Sequence, residues 1–196
     1  MTAYKITTPI SERDARKLRI GDIVYVSGTI VAMRDRAHQR ALEYHKQGKP
    51  IPVKIKDAAI YHCGPLAKKK GGKWEVLAAG PTTSMRIEAF EAELIEKLGA
   101  RMIIGKGGMG ASTAKAMVKY GAVYCDFPGG AAVLAALAVK KIVDIKWRDL
   151  GLPDALWVLE VEDFGPLTVT IDSHGKNLRD QVMERALKKQ TENLNA

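Results

Sequence analysis

The sequence of 196 residues is poor in cysteine and in aromatic side chains. Its two cysteines, Cys63 and Cys125, lie far apart in apolar segments, which favours buried, reduced thiols over a disulfide framework. Three Phe and three Trp offer little from which to build a base-stacking platform. The sequence also lacks a helix-turn-helix pattern and an aromatic-rich RNA motif, and its positive charge is scattered, so a nucleic-acid-binding protein is disfavoured.

Long apolar runs are missing as well. No segment is long enough to cross a bilayer, and the start MTAYKITTPISERD lacks the basic and then apolar layout of a signal peptide. We therefore expect a cytoplasmic protein without membrane contact. The length favours a single domain over residues 1–196. An acidic small molecule or an acidic partner accounts for the net charge of +9 as well as nucleic acid does.

Residues 100–127 have the pattern of a strand, a glycine loop, a helix and a second strand. The continuous apolar run Met102–Ile104 is typical of a short strand that is buried on both faces. The loop that follows is rich in glycine, and without a Cβ its backbone N–H groups can approach a ligand closely. The glycines are Gly105, Gly107, Gly108 and Gly110.

The loop leads into a helix predicted over residues 114–120. Ser112 and Thr113 are expected to offer hydroxyl groups to the free N–H groups at its start, and Gly121 is expected to end it. Lys106 lies in the centre of the loop, so the segment predicts a place to hold an anion. The simpler interpretation is a glycine turn that serves chain geometry alone.

The same loop also fits a nicotinamide-dinucleotide-binding module. Residues 105–110 form a GxGxxG sequence, and Asp126 ends the next strand, near the place of a ribose-binding acid. Three features disfavour this alternative: Lys106 between the first two glycines, the position of the unit in mid-chain, and a second glycine pair at 129–130. The GxxxxGK[ST] sequence of a Walker loop is absent.

A second segment suited to an anion follows the apolar run 74–79. It reads Gly-Pro-Thr-Thr-Ser-Met-Arg over residues 80–86 and begins a helix predicted to run to Gly99. Thr82 and Arg86 are four residues apart near the start of that helix. A helix cap explains one of the three hydroxyl groups, but three hydroxyls and an arginine exceed what capping needs.

A third basic segment follows the β-rich run 23–33. Arg34, Asp35 and His38 lead into a helix predicted to reach Lys46. Arg34 and His38 are four residues apart and share one helix face if both are helical, while Asp35 can offset their charge. An exposed helix start with ordinary ion pairs is the simpler interpretation.

The C-terminal half completes an α/β pattern. A helix over 131–142 is apolar nearly all round, which predicts burial. Strands over 156–162 and 167–172 are expected to pair antiparallel through the connecting residues 163–166. From Asn177 onward we expect an amphipathic helix whose last residues, up to 196, fray.

Arg34, Arg86 and Lys106 thus lie at three strand-to-helix connections. Open α/β sheets bind ligands at such connections. If the three meet in the fold, two guanidinium groups and one ammonium group suit a molecule with two carboxylates.

Four motifs together resemble the β subunit of the class I, iron–sulfur fumarate hydratases and of the related L-tartrate dehydratases. In one-chain members the same region is the C-terminal domain. The motifs are R-D-x-A-H at 34–38, G-P-T-T-x-x-R at 80–86, G-K-G-G-M at 105–109 and G-G-A-A at 129–132. They follow in the family's order over nearly the whole chain, which makes the resemblance more specific than the glycine loop alone.

The resemblance implies an α/β fold, a three-layer swivelling β/β/α domain with mixed sheets that closes on a larger α subunit carrying a [4Fe–4S] cluster. It implies that Arg34, Arg86 and Lys106 bind the substrate carboxylates, and that Thr82 is the base that moves the C3 proton. The supporting residues are His38, Asp35, Thr83, Gly105, Gly107 and Gly108. The implied reaction is the reversible hydration of fumarate to L-malate in a heteromer, with L-tartrate dehydration as the alternative.

The residues limit the share of this chain in that reaction. A [4Fe–4S] cluster typically needs three or four thiolates, which Cys63 and Cys125 cannot supply. We therefore expect this chain to bind no metal of its own and to be inactive without the α subunit. A threonine hydroxyl is a very poor base, so Thr82 needs help from Lys106, Arg86 or a carboxylate of the partner.

Overall fold

The computed structural model describes residues 2–194. Within them the strands are β1 (Ala3–Thr7), β2 (Ile23–Ala32), β3 (Ala59–Tyr61), β4 (Leu66–Lys70), β5 (Lys73–Ala78), β6 (Met102–Gly105), β7 (Val123–Asp126), β8 (Val139–Lys146) and β9 (Leu156–Ile171). The helices are α1 (Glu12–Lys17), α2 (Asp35–Lys46), α3 (Glu88–Leu98), α4 (Ala111–Tyr120), α5 (Ala132–Ala138) and α6 (Leu178–Leu194). A 3-10 turn, Ser84–Arg86, precedes α3.

The main sheet contains both parallel and antiparallel strands. β1, β2, β3, β6 and β7 lie side by side in that order and run parallel. β9 runs antiparallel to β7 and also to β2, so the sheet curls and β9 closes it. β8 pairs antiparallel with β9, and β4 and β5 form a separate hairpin. The α/β fold class with mixed sheets, predicted from the sequence, is confirmed.

Helices cover the outer face of the parallel strands. Leu94 of α3 and Met117 of α4 are fully buried and belong to the same apolar core as Ile60 of β3 and Ile103 of β6. Fully burying a side chain of this kind stabilises the fold by about 1.5–3 kcal/mol. These helices therefore fix the positions of the strand ends from which the loops begin.

A second core fills the inside of the curled sheet. Tyr61, Trp157 and Phe164 are fully buried there, and the Tyr61 and Phe164 rings meet edge to face at a centroid distance of 5.0 Å. Trp74 of the β4–β5 hairpin packs against Trp157. The chain is thus layered: helices, the parallel strands, and a second β layer formed by β8, β9 and the hairpin.

The glycine-loop unit has the predicted order of elements. All residues of β6 are buried, as expected for a strand covered on both faces. Gly121 ends α4 in the left-handed conformation with φ 71°. The helix begins at Ala111, earlier than predicted, so Ser112 and Thr113 lie inside its first turn.

Residues 131–142 differ from the prediction of one buried helix. α5 ends at Ala138, and β8 begins at Val139, where β-branched residues recur and pair antiparallel with β9. The predicted burial is also wrong for much of α5, because Val133, Leu134 and Leu137 are exposed.

Residues 156–171 form the single strand β9 where two strands joined by a turn were predicted. Asp163 has φ 48°, and the pairing with β2 shifts register twice between Val24 and Gly28, so the turn-type residues bend the strand without reversing it. Phe164 is fully buried in the inner core, which holds this bend inside the sheet. Beyond the bend, β9 can therefore reach β7 as well as β2.

The C-terminal helix was predicted correctly. α6 begins at Leu178 and continues to Leu194. The fraying predicted for the last residues falls on 195–196, which lie outside the described residues. In the part of the chain that is described, no helix combines the length and the apolar character needed to span a bilayer.

Candidate active site

The three predicted basic segments meet at one edge of the main sheet. Arg34 lies just beyond β2, His62 follows β3 and Lys106 follows β6. These strands are neighbours and run parallel, so their carboxyl ends share an edge. The segment 82–86 lies at the same edge, because the Thr82 N–H donates to the His62 carbonyl at 2.6 Å. We call Arg34, Asp35, Arg86 and Lys106 the basic edge.

Asp35 joins the two arginines of the basic edge. Its Oδ2 atom lies 3.3 Å from Nη2 of Arg86, and its Oδ1 atom lies 3.8 Å from Nε of Arg34. Oδ1 of Asp154 lies 3.5 Å from the same Nε. Arg34 and His38 do not share a helix face, because the condition that both are helical is not met: Arg34 is the extended N-cap residue of α2. The two residues instead meet through the Arg34 carbonyl, 2.8 Å from Nδ1 of His38.

Lys106 is joined to the turn before α3 through the backbone. Lys106 and Thr83 form a parallel bridge, and the Ser84 N–H donates to the Lys106 carbonyl at 2.9 Å. The Lys106 N–H in turn donates to Oγ of Ser84 at 3.2 Å. Among the described residues, no carboxylate lies within 4.0 Å of the Lys106 ammonium group. Its charge is therefore available to an external anion.

Several charged atoms around the basic edge make no hydrogen bond to the described residues. They are Nε of Arg34, Oδ1 of Asp35 and Oδ1 of Asp154, all buried. Their ion-pair distances of 3.5 and 3.8 Å are too long for hydrogen bonds. Since an unbonded buried charge is costly, an incompletely bonded cluster of this kind is typical of a functional site.

The hydroxyl groups of Thr82 and Thr83 are not used to cap a helix. Thr83 is the N-cap residue of the 3-10 turn and makes no side-chain cap hydrogen bond, and Ile87, the N-cap residue of α3, makes none either. Thr82 is half-buried and Thr83 is exposed. Both hydroxyl groups therefore remain available at the start of the basic edge.

The loop glycines allow two close approaches at this edge. A Cβ on Gly105 would overlap Oγ of Ser84. A Cβ on Gly108, which has φ 79°, would lie 2.7 Å from Cδ of Arg179. Gly107 lies between Lys106 and Gly108 with the Thr83 methyl group nearby. The loop can therefore lie flat against the turn before α3.

The N-terminus of α4 is already occupied by a carboxylate of this chain. Glu88 accepts hydrogen bonds from the Gly110 N–H at 2.7 Å, from the Thr113 N–H at 3.2 Å and from the Thr113 hydroxyl at 2.7 Å. The predicted capping by Ser112 and Thr113 is wrong, because an ionised carboxylate is the stronger acceptor at a helix N-terminus. This helix start does not offer the free N–H groups that a dinucleotide pyrophosphate requires.

Asp126, the candidate ribose-binding acid of the dinucleotide alternative, is bonded to protein groups. Its Oδ2 atom lies 2.7 Å from Nη2 of Arg179, and the Tyr124 hydroxyl lies 3.3 Å from its Oδ1 atom. Arg179 lies in the first turn of α6 and against Gly108, so it adds a guanidinium group beside the glycine loop. Sequence reasoning missed Arg179, since no motif marks it and only the fold brings α6 to β7.

A buried cluster of ionisable side chains lies behind the basic edge. Nε2 of His62 and Nε2 of His38 lie 2.8 and 3.3 Å from Oε2 of Glu91, and all three side chains are fully buried. Burial favours a raised pKa for Glu91, but the two histidines outweigh it and lower its pKa to about 2. Burial also lowers the pKa of His62. Sequence reasoning singled out only His38, because nothing in the sequence links His62 with Glu91.

This cluster has the donor types of a metal site. The candidate ligand atoms of His38, His62 and Glu91 lie within 4.8 Å of one another. Tetrahedral zinc with bonds of about 2.0–2.2 Å separates two ligand atoms by about 3.4 Å. The 2.8 Å between His62 and Glu91 is instead a hydrogen-bond distance. The His62–Glu91 contact is therefore a hydrogen bond, whereas Nε2 of His38, 3.3 Å from Oε2 of Glu91, makes no hydrogen bond to the described residues.

The thiols do not offer cluster ligands. Cys63 and Cys125 are free and fully buried. Burial raises the pKa of Cys63 to about 12 and raises that of Cys125 as well. A [4Fe–4S] cluster needs three or four thiolates, so these two buried thiols do not make up a set of cluster ligands.

Comparison with known proteins identifies the class of this α/β chain. Residues 2–182 match the family model described as Fumarase C-terminus. L(+)-tartrate dehydratase subunit beta of Escherichia coli (strain K12) is 47% identical over 173 residues, which are 88% of this chain and 85% of the relative. A putative L(+)-tartrate dehydratase subunit beta of Methanocaldococcus jannaschii is 40% identical over 184 residues, 93% of this chain and 94% of the relative.

A longer relative shares the same region. A putative fumarate hydratase class I of Geobacillus stearothermophilus is 38% identical over 185 residues, which are 94% of this chain and 35% of the relative. The chain therefore belongs to the Fumarase C-terminus family. The resemblance predicted from the four motifs is confirmed, and with it the prediction of a β subunit of the hydro-lyase type.

Proposed function

We propose that the basic edge of this chain binds the two carboxylates of a four-carbon dicarboxylate that is hydrated or dehydrated at an interface with an α subunit. The observation that carries the proposal is the meeting of Arg34, Arg86 and Lys106 at one sheet edge, with Asp35 between the arginines. Guanidinium groups bind carboxylates through paired hydrogen bonds, and an ammonium group adds a point charge.

Thr82 takes the role of proton carrier at C3 of the substrate. Its hydroxyl group caps no helix. Its backbone N–H donates to the His62 carbonyl, which fixes the position of the residue. A threonine hydroxyl gives up its proton only where positive charge stabilises the alkoxide. In this proposal that charge comes from Lys106, whose backbone pairs with Thr83, the neighbour of Thr82.

The partner supplies what this chain lacks. The two buried thiols of this chain are too few for a cluster, so the proposal assigns a [4Fe–4S] cluster to the α subunit. When bound there, the cluster would supply Lewis-acid chemistry toward the substrate oxygen. The subunit names of the two-chain relatives support such a partner. The proposal places the resulting heteromer in the cytoplasm.

Two substrates fit the same basic edge. Fumarate with L-malate was the first prediction from the sequence, and L-tartrate was its alternative. The relatives that match this chain over most of their own length are named L(+)-tartrate dehydratase subunit beta, which favours L-tartrate. The relative named fumarate hydratase class I keeps fumarate as the second candidate.

Reconstitution tests the proposal. The chain is co-expressed with the α subunit that is captured with it, and the complex is isolated without oxygen. The conversion of L-tartrate, L-malate and fumarate is then measured. We expect turnover of at least one of them by the complex and none by either chain alone. A complex that carries iron and sulfide but converts none of the three, or a β chain that is active alone, would contradict the proposal.

A further inference from the structure

Ser84 connects the buried cluster with the basic edge. Its side chain is fully buried, and its Oγ atom lies 2.9 Å from Nδ1 of His62, 2.9 Å from the Tyr124 hydroxyl and 3.2 Å from the Lys106 nitrogen. A hydroxyl group has one donor and two acceptor positions. With these three neighbours, the hydrogen-bonding capacity of Ser84 is full.

The contacts of Ser84 are satisfied by the following arrangement of protons, in which the Tyr124 hydroxyl donates to Ser84 at 2.9 Å and not to Asp126 at 3.3 Å. Glu91 accepts from Nε2 of His62 at 2.8 Å, so Nδ1 of the neutral His62 ring is left as an acceptor. The Ser84 hydroxyl donates to that Nδ1 atom. The two lone pairs of Ser84 then accept from the Tyr124 hydroxyl and from the Lys106 N–H.

The other end of the cluster reaches the segment of Arg34. Nδ1 of His38 lies 2.8 Å from the Arg34 carbonyl, and a carbonyl oxygen only accepts, so this nitrogen carries a hydrogen and donates. Nε2 of the same ring lies 3.3 Å from Oε2 of Glu91. Glu91 therefore lies between a histidine that contacts the first basic segment and a histidine that contacts Ser84. We call His38, Glu91, His62 and Ser84 the buried network.

The buried network thus touches every segment of the basic edge through its backbone. His38 contacts the Arg34 carbonyl, the His62 carbonyl accepts the Thr82 N–H, and Ser84 accepts the Lys106 N–H. These segments follow different strands and share no covalent connection nearby. Each hydrogen bond of the buried network resists displacement, because a displaced member would leave a costly unbonded group. Nε2 of His38 and Oε1 of Glu91 make no hydrogen bond to the described residues, so the network is held by the bonds of His62, Ser84 and Nδ1 of His38.

We propose that the buried network is a positioning device, which holds the Arg34, Thr82 and Lys106 segments in the mutual geometry that a dicarboxylate requires. The inference rests on the proposed function for the identity of the ligand, but the network itself is defined by hydrogen bonds alone. Its members act through the backbone of the basic edge and do not contact substrate.

Kinetics of the reconstituted complex test the positioning role. Ser84→Ala and Glu91→Gln should each lower kcat about 10- to 100-fold and raise KM less than that, because small displacements cost more in the transition state than in the bound substrate. The matched control is Leu94→Ala, which removes a fully buried apolar side chain from the same helix as Glu91. It should lower the melting temperature and leave kcat near that of the unchanged complex. Equal kcat losses in all three variants would overturn the proposal.

A double variant tests whether the members act as a unit. If Ser84 and Glu91 belong to one network, Ser84→Ala with Glu91→Gln should cost about as much in kcat as the more damaging single change. Losses that multiply would show two independent effects and would overturn the proposal.

A spectroscopic measurement is independent of the reaction. ¹⁵N NMR of the histidine rings in the full chain should show His62 with hydrogen on Nε2 and an accepting Nδ1, and Ser84→Ala should move the Nδ1 signal toward that of an unbonded nitrogen. A His62 ring that is unaffected by Ser84→Ala would overturn the network. If Ser84→Ala does move the His62 Nδ1 signal but Lys106→Ala leaves turnover intact, the proposed function fails and the buried network stands.

Metal analysis of the purified chain tests the alternative that His38, His62 and Glu91 bind a metal ion. If the hydrogen-bonded network is right, the purified chain should not contain one equivalent of a metal ion whose binding requires Glu91. One equivalent of zinc or iron per chain that is lost in Glu91→Gln would show that His38, His62 and Glu91 form a metal site, and would overturn the hydrogen-bonded network.

Discussion

Oδ2 of Asp35 lies 3.3 Å from Nη2 of Arg86, and this contact joins the start of α2 to the turn before α3. The side chain of Arg86 is 54% exposed, so an ion pair of this kind adds only about 0–1 kcal/mol to stability. Its effect is on orientation, since Asp35 also lies beside Arg34 and keeps the two guanidinium groups at one edge.

The fork geometry of Arg86 leads to the first prediction. Arg86→Lys keeps the charge but removes the second donor of the planar fork, so KM for the dicarboxylate should rise about 10-fold with a smaller change in kcat. Arg13→Lys, a change at a highly exposed arginine of α1, is the matched control and should leave both constants unchanged. Steady-state kinetics of the reconstituted complex measure the effect. An Arg86→Lys complex with unaltered KM would remove Arg86 from the carboxylate site.

Thr82 provides a prediction about the chemical step. Thr82→Val has nearly the same shape but no hydroxyl, so kcat should fall about 100-fold or more while dicarboxylate binding changes little. Thr82→Ser restores a hydroxyl and should recover much of the lost rate. Exchange of the C3 proton with deuterated water measures the step directly. A Thr82→Val complex that exchanges this proton at the normal rate but binds substrate weakly would reduce Thr82 to a structural role.

Glu88 provides a prediction about stability. Its carboxylate accepts the N–H groups of Gly110 and Thr113 at the start of α4. Glu88→Ala should therefore lower the free energy of unfolding by about 1–3 kcal/mol. Glu96→Ala removes an exposed carboxylate from the same helix and should change stability little. Denaturant unfolding of both variants makes the comparison, and equal stabilities would show that Glu88 is not the effective cap.

The two thiols lead to a prediction about pH and metal content. Because burial disfavours the thiolate and raises the pKa of Cys63 to about 12, the native chain should react with iodoacetamide very slowly at pH 8, and quickly only after unfolding. Cys63→Ala and Cys125→Ala complexes should keep their iron and sulfide content. A loss of iron from either variant would mean that this chain supplies a cluster ligand.

Local signals in the sequence were sufficient for the elements that carry the site. The β-branched run of β6, the glycine loop and Gly121 gave the strand, loop and helix in the right order. The segments of Arg34 and Lys106 could be expected at one edge because β2 and β6 run parallel and carry their loops at the same end. These features depend on residues close together in the chain, where periodicity and turn chemistry are informative. The segment of Arg86 follows the separate β4–β5 hairpin and is brought to that edge by the hydrogen bond from the Thr82 N–H to the His62 carbonyl.

Contacts between distant residues account for what the sequence did not reveal. Glu88 caps a helix that begins more than twenty residues later, and Glu91 reaches His62 from another element. β9 is continuous through Asp163 because the burial of Phe164 in the inner core overrides the local preference for a turn. These features depend on packing between residues that are distant in the chain, and local sequence patterns carry no information about such packing.

The comparison of Lys106→Ala with Lys115→Ala in the reconstituted complex tests the central claim most directly. Lys115 is exposed on α4 and lies outside the basic edge, so it controls for the loss of one positive charge. We predict that Lys106→Ala lowers kcat/KM for the dicarboxylate about 100-fold or more with an unchanged melting temperature, while Lys115→Ala retains normal kinetics. Near-normal kcat/KM in the Lys106→Ala complex would contradict the account of a dicarboxylate held at this edge.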